Sequence, residues 1–370
     1  MGVPLLDLRA QLETIRNEVM NDVLATIESQ RFIMGEVVVR LEEGIAALCH
    51  TAHAVACASG TDALLLSLKT LIEPGDEVIT TPFTFFATAG AIVNAGGVPV
   101  FVDIDPGTFN LDVDQVESAI TDRTRVLMPV HLYGQMASME RIGVVAARHD
   151  LRVVEDAAQA IGARRVVDGT WRQAGELGTT GALSFFPSKN LGAWGDGGMI
   201  VTQDGRLAER LRRLRTHGGA KQYHHDEVGT NSRLDAIQAA VLLAKLPHLA
   251  AWNAARRAHA AFYAGALAEC PGISTPVIDS ANEHVFHQYT IRSTRRDALV
   301  AALKAADIGC AVYYPTPLHL QPCFAPLGFK VGQFPEAERA AAEVVSLPIY
   351  PELTSADRDA VLDAIVRLAA

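Results

Sequence analysis

The run Ser184–Gly198, SFFPSKNLGAWGDGG, sets a single lysine, Lys189, between Phe185-Phe186-Pro187 and the glycines Gly192, Gly195, Gly197 and Gly198. Apolar surroundings lower an amine's pKa, and an unprotonated amine attacks an aldehyde to form a Schiff base. Glycines nearby let backbone or ligand approach closely. Taken alone, the run also suits a solvated loop lysine, so other residues must decide. In ACASGTDALLLSL a strand gives way to a helix at Ser59-Gly60-Thr61. Free N–H groups and a hydroxyl there make a phosphate site, with an ordinary helix cap as the alternative. In VVEDAAQAIGA, Glu155 and Asp156 close an apolar strand. Ligands of open α/β sheets bind at such ends, and a carboxylate there can keep a pyridine nitrogen protonated; a structural ion pair is the alternative. Asp156 is preferred to Glu155 because Gln159, three residues on, would share its helical face. In TTPFTFFATAG one of Phe85 and Phe86 could stack on a flat cofactor while the other packs inward.

The segment GGAKQYHHDEVGTNSRLD gathers Lys221, His224, His225, Asn231 and Arg233 into a local cationic patch. A metal site on His217, His224 and His225 is not expected, since neither HExxH nor a Cys/His spacing is present. A nicotinamide cofactor is not expected either, because no GxGxxG opens a helix after the first strand.

A net charge of -10 and a pI near 5.6 argue against nucleic acid or an anionic membrane as the main partner. An anionic ligand must therefore meet a local cationic pocket. Cys49, Cys57, Cys270, Cys310 and Cys323 are odd in number and form no CxxC pair, which suits thiols in a reducing compartment. Asp and Arg come too early in MGVPLLDLRAQ for a signal peptide, and no apolar run approaches a span of about 18 residues, so a soluble cytoplasmic protein is expected.

These residues need elements to hold them. Leu12, Ile15, Val19, Val23 and Ile27 recur at helical spacing, predicting an amphipathic helix before Gly35. Apolar runs at 53–57, 77–81, 99–104, 125–132 and 152–157 alternate with helical segments, which predicts an α/β fold with a mostly parallel sheet covered on both faces. ALSFF (182–186) and GMIVT (198–202) are joined by a link too short for a crossover helix, so they are predicted to run antiparallel with Lys189 in their loop. An Ala/Leu-rich helical pattern runs from Asp235 to about Leu267 and leads into a smaller α/β unit. The division is placed at a large domain of residues 1–240 and a small one of 241–370.

A phosphate cradle, a flat aromatic, a strand-end Asp and a pocket lysine, in this chain order, resemble a pyridoxal-phosphate (PLP) enzyme of fold type I. SGTDAL, FTFFAT, EDAAQAIGA, SFFPSKNLGAWGDGG and NSRLDAIQAA together resemble the DegT/StrS family of nucleotide-sugar aminotransferases over nearly the whole chain. The resemblance implies a seven-stranded sheet and assigns the Schiff base and proton shuttling to Lys189. It places Asp156 at the pyridinium nitrogen, Gln159 by the ring hydroxyl, Phe85 against the ring, and Gly60, Thr61 and Ser184 around the phosphate. It also implies a homodimer in which Asn231 reaches the neighbouring subunit's phosphate. Phe85 departs from the Tyr or Trp often found in relatives, which keeps stacking but loses a hydrogen bond. KQYHHDEVGTNSRLD and YYPTPLHLQP resemble the branch that aminates 3-keto UDP-linked N-acetyl-hexuronic acids. That implies glutamate as amino donor, 2-oxoglutarate as its product, and PMP, the aminated cofactor, as the carrier. The sugar contacts would be Lys221, His224, His225, Arg233, Tyr314 and His319. Two other readings stand beside this one: amination of a dTDP-linked 3-keto or 4-keto-6-deoxy sugar, and a PLP-binding regulatory protein without turnover.

Overall fold

A computed structural model describes residues 2–221 and 223–369. Near-continuous apolar runs make strands that must be buried on both faces, and these build the central sheet. In chain order they are β1 (His53–Cys57), β2 (Glu77–Thr80), β3 (Val98–Phe101), β4 (Thr124–Leu127) and β5 (Arg152–Asp156). A short pair, β6 (Arg164–Val167) and β7 (Thr170–Gln173), follows and stands apart from that sheet. β8 (Thr180–Ser184) and β9 (Gly198–Thr202) complete a seven-stranded sheet of order β1-β9-β8-β5-β4-β2-β3. Only β9 is reversed, antiparallel to both β8 and β1, as the short link between β8 and β9 predicts.

Period-two alternation sends neighbouring residues to opposite faces. Ala54, Val153 and Met199 join one core cluster, and Val55, Val154 and Ile200 join the other. The first face is covered by α2 (Glu36–Leu48) through Leu41 and Ile45. The second is covered by α3 (Gly60–Lys69) and α4 (Ala87–Asn94) through Leu64, Leu68 and Ile92. Later helices add to each layer: α6 (Met139–Arg148), after the one-turn α5 (Val113–Val116), on the first, and α7 (Gly205–Leu214) on the second. The amphipathic N-terminal helix forms as α1 (Leu8–Ser29), capped by Asp7, with Ile15, Val19 and Val23 buried.

The helical pattern after Asp235 is two helices, α8 (Ala236–Lys245) and α9 (Leu249–Leu267). Pro247 lies in the 3-10 turn between them, where a residue without an N–H interrupts the α-helical ladder. Residue 240 falls inside α8, whose Ala240, Val241 and Ala244 pack with α1. α9 is the bridge: Leu249 joins the large sheet's core, whereas Ala260, Tyr263 and Leu267 join a separate cluster. That cluster surrounds a second sheet of β10 (Ile273–Ser274), β12 (Tyr289–Ser293) and β13 (Val344–Leu347), while β11 (Asn282–Glu283) pairs with β6. α10 (Arg296–Ala305) and α12 (Ser355–Ala369) pack there, and α11 (Pro335–Glu343) lies nearer the main sheet's loops. Val3 also joins this cluster, so the first residues of the chain dock on its last part. No helix among the described residues is long and apolar enough to cross a membrane.

Candidate active site

The carboxyl ends of β5 and β8 and the turns after β1 and β2 converge on a cavity of about 460 Å³ lined by Ser59, Gly60, Thr61, Phe85, Asp156, Gln159, Ser184 and Lys189, and by Gln288, Tyr313 and Tyr314 from the C-terminal part. Lys189 sits in the β8–β9 loop. Its N–H donates to the Phe186 carbonyl at 2.8 Å, and the Ala193 N–H donates to Phe185 at 2.8 Å. The glycine-rich tail serves backbone packing. A Cβ at Gly192 would lie 2.2 Å from the Pro187 carbonyl oxygen, and one at Gly198 would lie 2.2 Å from that of Ser59. Helices behind the loop fix it from outside: Lys245 Nζ donates to the Gly192 carbonyl at 2.7 Å, and Asn190 Nδ2 donates to Asn253 Oδ1 at 2.7 Å. Burial lowers the Lys189 pKa to about 8 against the opposing pull of Asp156.

Asp156 is 5% exposed and in no ion pair among the described residues. Oδ2 accepts from Thr88 Oγ1 at 2.7 Å, and Oδ1 accepts from the Ala158 N–H at 3.3 Å. Burial raises its pKa, with the Thr88 and Ala158 bonds and the charges of Lys189 and His131 acting the other way. Glu155, the competing acid, has a structural task. It is fully buried and accepts from His131 Nε2 at 2.8 Å and from the N–H groups of Gly175, Leu177 and Gly178 at 2.9, 2.8 and 2.5 Å. Asp156 and Gln159 share no helical face, contrary to expectation, because Ala157–Ala163 forms turns and no helix. The strand pleat makes the choice: consecutive residues point to opposite sides, so Glu155 enters the core when Asp156 enters the cavity.

Gln159 does face the cavity, with both ends of its amide engaged. Oε1 accepts from the Tyr133 N–H at 2.6 Å and Nε2 donates to the Tyr314 hydroxyl at 3.0 Å. Tyr133 is held in the left-handed region at φ 59° and its hydroxyl donates to the Tyr313 carbonyl, tying the C-terminal part to the segment after β4. Phe85 is half-exposed in the cavity, 6.1 Å from the Tyr314 ring, whereas Phe86 stacks on Phe324 at 5.5 Å. Ser59 is an N-cap, its Oγ accepting from the Asp62 N–H at 3.1 Å, which leaves the N–H groups of Gly60 and Thr61 at the cavity edge. Gly60 is there because α3 begins against Ser184, whose Cβ would lie 2.6 Å from a Cβ at position 60.

The remaining expected contacts lie outside this cavity. Ser232 points inward, donating to Asp62 Oδ2 at 2.7 Å and accepting from the Ala58 N–H at 3.1 Å. Its neighbour Asn231 is exposed, and Arg233 is half-buried; neither lines the cavity. Lys221, His224 and His225 are exposed, His224 lying 3.2 Å from Asp226 and His225 bonded to the His217 carbonyl at 3.0 Å; Gln222 lies outside the described residues. His319 is buried, its Nε2 3.1 Å from Glu338 Oε1 and its ring against Phe334. Among the described residues no group of three or more His, Cys, Asp or Glu could hold a metal ion. Thr84, Asp196, His287, Gln288 and Tyr313 line the cavity without having been singled out from sequence. FHQYTIR reads as an ordinary strand entry, and nothing local marks its His287.

The model of the DegT/DnrJ/EryC1/StrS aminotransferase family matches residues 13–366. The chain is 53% identical to a Geobacillus stearothermophilus protein named pleiotropic regulatory protein, over 99% of this chain and 98% of the other. It is 47% identical to a UDP-N-acetyl-3-dehydro-alpha-D-glucosamine 3-aminotransferase of Acidithiobacillus ferrooxidans, over 95% of this chain and 94% of the other. The solved structure of DesV from S. venezuelae, in complex with a ketimine intermediate, superposes with a TM-score of 0.96 at 45% identity, covering 100% of this chain and 98% of that one. The family model's match over residues 13–366, together with relatives and a solved structure similar over almost the full length, places this chain in the DegT/DnrJ/EryC1/StrS family of aminotransferases.

Proposed function

We propose that the protein moves an amino group from glutamate to the C3 ketone of a nucleotide-linked sugar, with PLP bound beside Lys189. The observation that carries this reading is the pairing, across one cavity, of a lysine that burial deprotonates readily with a buried carboxylate in no ion pair. Buried charges are normally paired. A protonated ring nitrogen would complete Asp156, and the α3 N-terminus with Ser184 offers the donors a phosphate requires. The residues therefore fit PLP: Asp156 at the nitrogen, Phe85 against one ring face, Gln159 near the ring edge, and Gly60, Thr61 and Ser184 at the phosphate. When bound, PLP supplies the aldehyde that takes up the amino group and a ring that delocalises the electron pair released at the substrate carbon. Lys189 Nζ would carry the proton between that substrate carbon and the cofactor's aldehyde carbon, for which a pKa near the working pH is the efficient value. Buried Asp156 keeps the opposing charge fixed, and Tyr314, Tyr313 and Gln288 close the cavity on the side of the C-terminal part.

A homodimer with shared sites is part of this proposal. Asn231 is exposed outside the cavity of its own chain, and Met20, Leu24 and Ile27 recur on a face of α1 that stays exposed, with Phe32 and Ile33 just beyond. Contiguous apolar surface of this kind suits a subunit contact. For the substrate, the similarity to a 3-dehydro-sugar aminotransferase supports a 3-keto position. The charged residues lining this chain's cavity are Lys189, Asp156 and Asp196, with no guanidinium among them. For a UDP-linked N-acetyl-hexuronic acid, the sugar the sequence points to, the expected carboxylate partner Arg233 would have to reach the cavity from a second copy, since it does not line the cavity of its own chain. This same observation favours a neutral UDP- or dTDP-linked keto sugar as the second reading. A regulatory role without turnover would not call for the complete set of lysine, acid and phosphate donors.

The test follows the cofactor spectrum. Holoenzyme converted to its aminated form with glutamate is challenged with the 3-keto UDP N-acetyl-hexuronic acid, its neutral hexosamine counterpart and a dTDP 4-keto-6-deoxy sugar. Return of the starting spectrum with the 3-keto UDP sugars is expected. Reaction with the dTDP 4-keto sugar alone would overturn the substrate assignment, and no spectral change with any donor or sugar would favour the regulatory reading.

A further inference from the structure

The cavity does not end at Lys189. At Ser188 and Tyr313 it adjoins a side cavity of about 60 Å³, polar at Ser188, Arg256, His287, Gln288 and Tyr313 and aliphatic at Leu5, Leu6, Leu347 and Ile349. Ser188, His287, Gln288 and Tyr313 line both spaces. Arg256 is 2% exposed, and its Nη1 donates to the carbonyls of Phe286, His287 and Ile349 at 3.1, 3.4 and 2.8 Å. Its Nε has no partner, and no carboxylate lies within ion-pair distance of it among the described residues. His287 is 9% exposed, with Nδ1 unpartnered, and Gln288 has an unpartnered amide oxygen. Rotating that amide by 180° would turn donors into the same space.

These groups share an electrostatic problem. Burial, with the charges of Lys189 and Arg256 adding to it, holds the His287 pKa well below the usual range. Glu352 is the opposing charge felt by Arg256. A buried guanidinium whose bonds go only to carbonyls, next to a donor-lined space, calls for a small acceptor-only anion. The phosphate end of the main cavity lies elsewhere, at Gly60 and Ser184. A carboxylate matches the size and the chemistry.

We propose that this side cavity receives the side-chain carboxylate of an acidic amino donor while the donor's amino group lies at Lys189. The proposal rests on the transamination reading above and names the site of its donor specificity. It assigns Arg256 and His287 to the donor half of the cycle and leaves the sugar to the main cavity.

The experiment compares L-glutamate with L-glutamine, its uncharged isostere, in the donor half-reaction of the holoenzyme. Wild type should prefer glutamate by about tenfold or more, the worth of one charge-assisted hydrogen bond. Arg256→Gln should erase that preference through the glutamate Kd while glutamine is little changed. Should Arg256→Gln fail to fold, Gln288→Glu leaves the Arg256 carbonyl bonds in place and puts a competing carboxylate into the side cavity, and it should erase the same preference. A preference that survives in folded variants, or its absence in a wild type that does react with glutamate, overturns the donor site while transamination stands. A wild type that reacts with neither amino acid overturns the transamination reading and this proposal with it.

Discussion

Replacing Lys189 with methionine should stabilise the protein once the cofactor is removed. Burial lowers the lysine's pKa from 10.5 to about 8. At about 1.4 kcal/mol per unit, carrying this amine into the fold costs roughly 3 kcal/mol when it is charged. Two features reduce that figure. Lys189 keeps some surface toward the cavity, where water screens it, and its loss also removes the charge that favours the Asp156 carboxylate. A net gain of about 1–2 kcal/mol at pH 7 remains after this discount. Because the folded-state pKa is the lower one, the unfolded chain binds more protons between pH 8 and 10.5. Wild-type stability therefore rises with pH across that window, and the cost is fully present below it. Thermal unfolding of the two apoproteins from pH 7 to pH 10 reads this directly. Lys189→Met should unfold about 1–4 °C higher at pH 7, with the gap closing toward pH 10. A variant less stable than wild type at pH 7, or a gap unaffected by pH, would refute the argument that catalysis at this position is held against stability.

Glu155→Ala should cost about 3–5 kcal/mol, since it leaves the proton-bearing His131 Nε2 and three backbone N–H groups without their shared acceptor; a urea-unfolding loss under about 1 kcal/mol would contradict this account. Lys189→Ala and Asn231→Ala subunits mixed in equal amounts should recover about a quarter of wild-type activity, because half the dimers carry one intact site. Subunit exchange confirmed by mass with no recovery would mean that Asn231 acts within its own chain.

Much of the site was legible because its parts lie in short runs whose local geometry is self-contained. The short link between two apolar strands permits only a hairpin-like connection, so Lys189 had to fall in a loop at a strand end. Ser59-Gly60-Thr61 begins a helix whatever surrounds it. Asp156 lines the cavity because the pleat of β5, and not a following helix, separates it from Glu155. The break at Pro247 has its own local signal, but the Ala/Leu pattern continues on both sides of it and masks the division into two helices.

What composition, periodicity and spacing determined was the α/β class, the reversed strand and the lysine-acid-helix arrangement, all set by contacts within some tens of residues. Tertiary structure alone decided which distant side chains reach the cavity. His287, Gln288, Tyr313 and Tyr314 line it more than 90 residues after Lys189, because α9 and the second sheet pack against the first. His319, five residues past Tyr314, turns away onto Glu338 and Phe334. A polar side chain in a strand or loop has no periodic signature that says whether it faces a cavity or a core partner. That choice follows from long-range packing, which places Arg256 beside His287 and gives Glu155 four donors while leaving Asp156 without an ion pair.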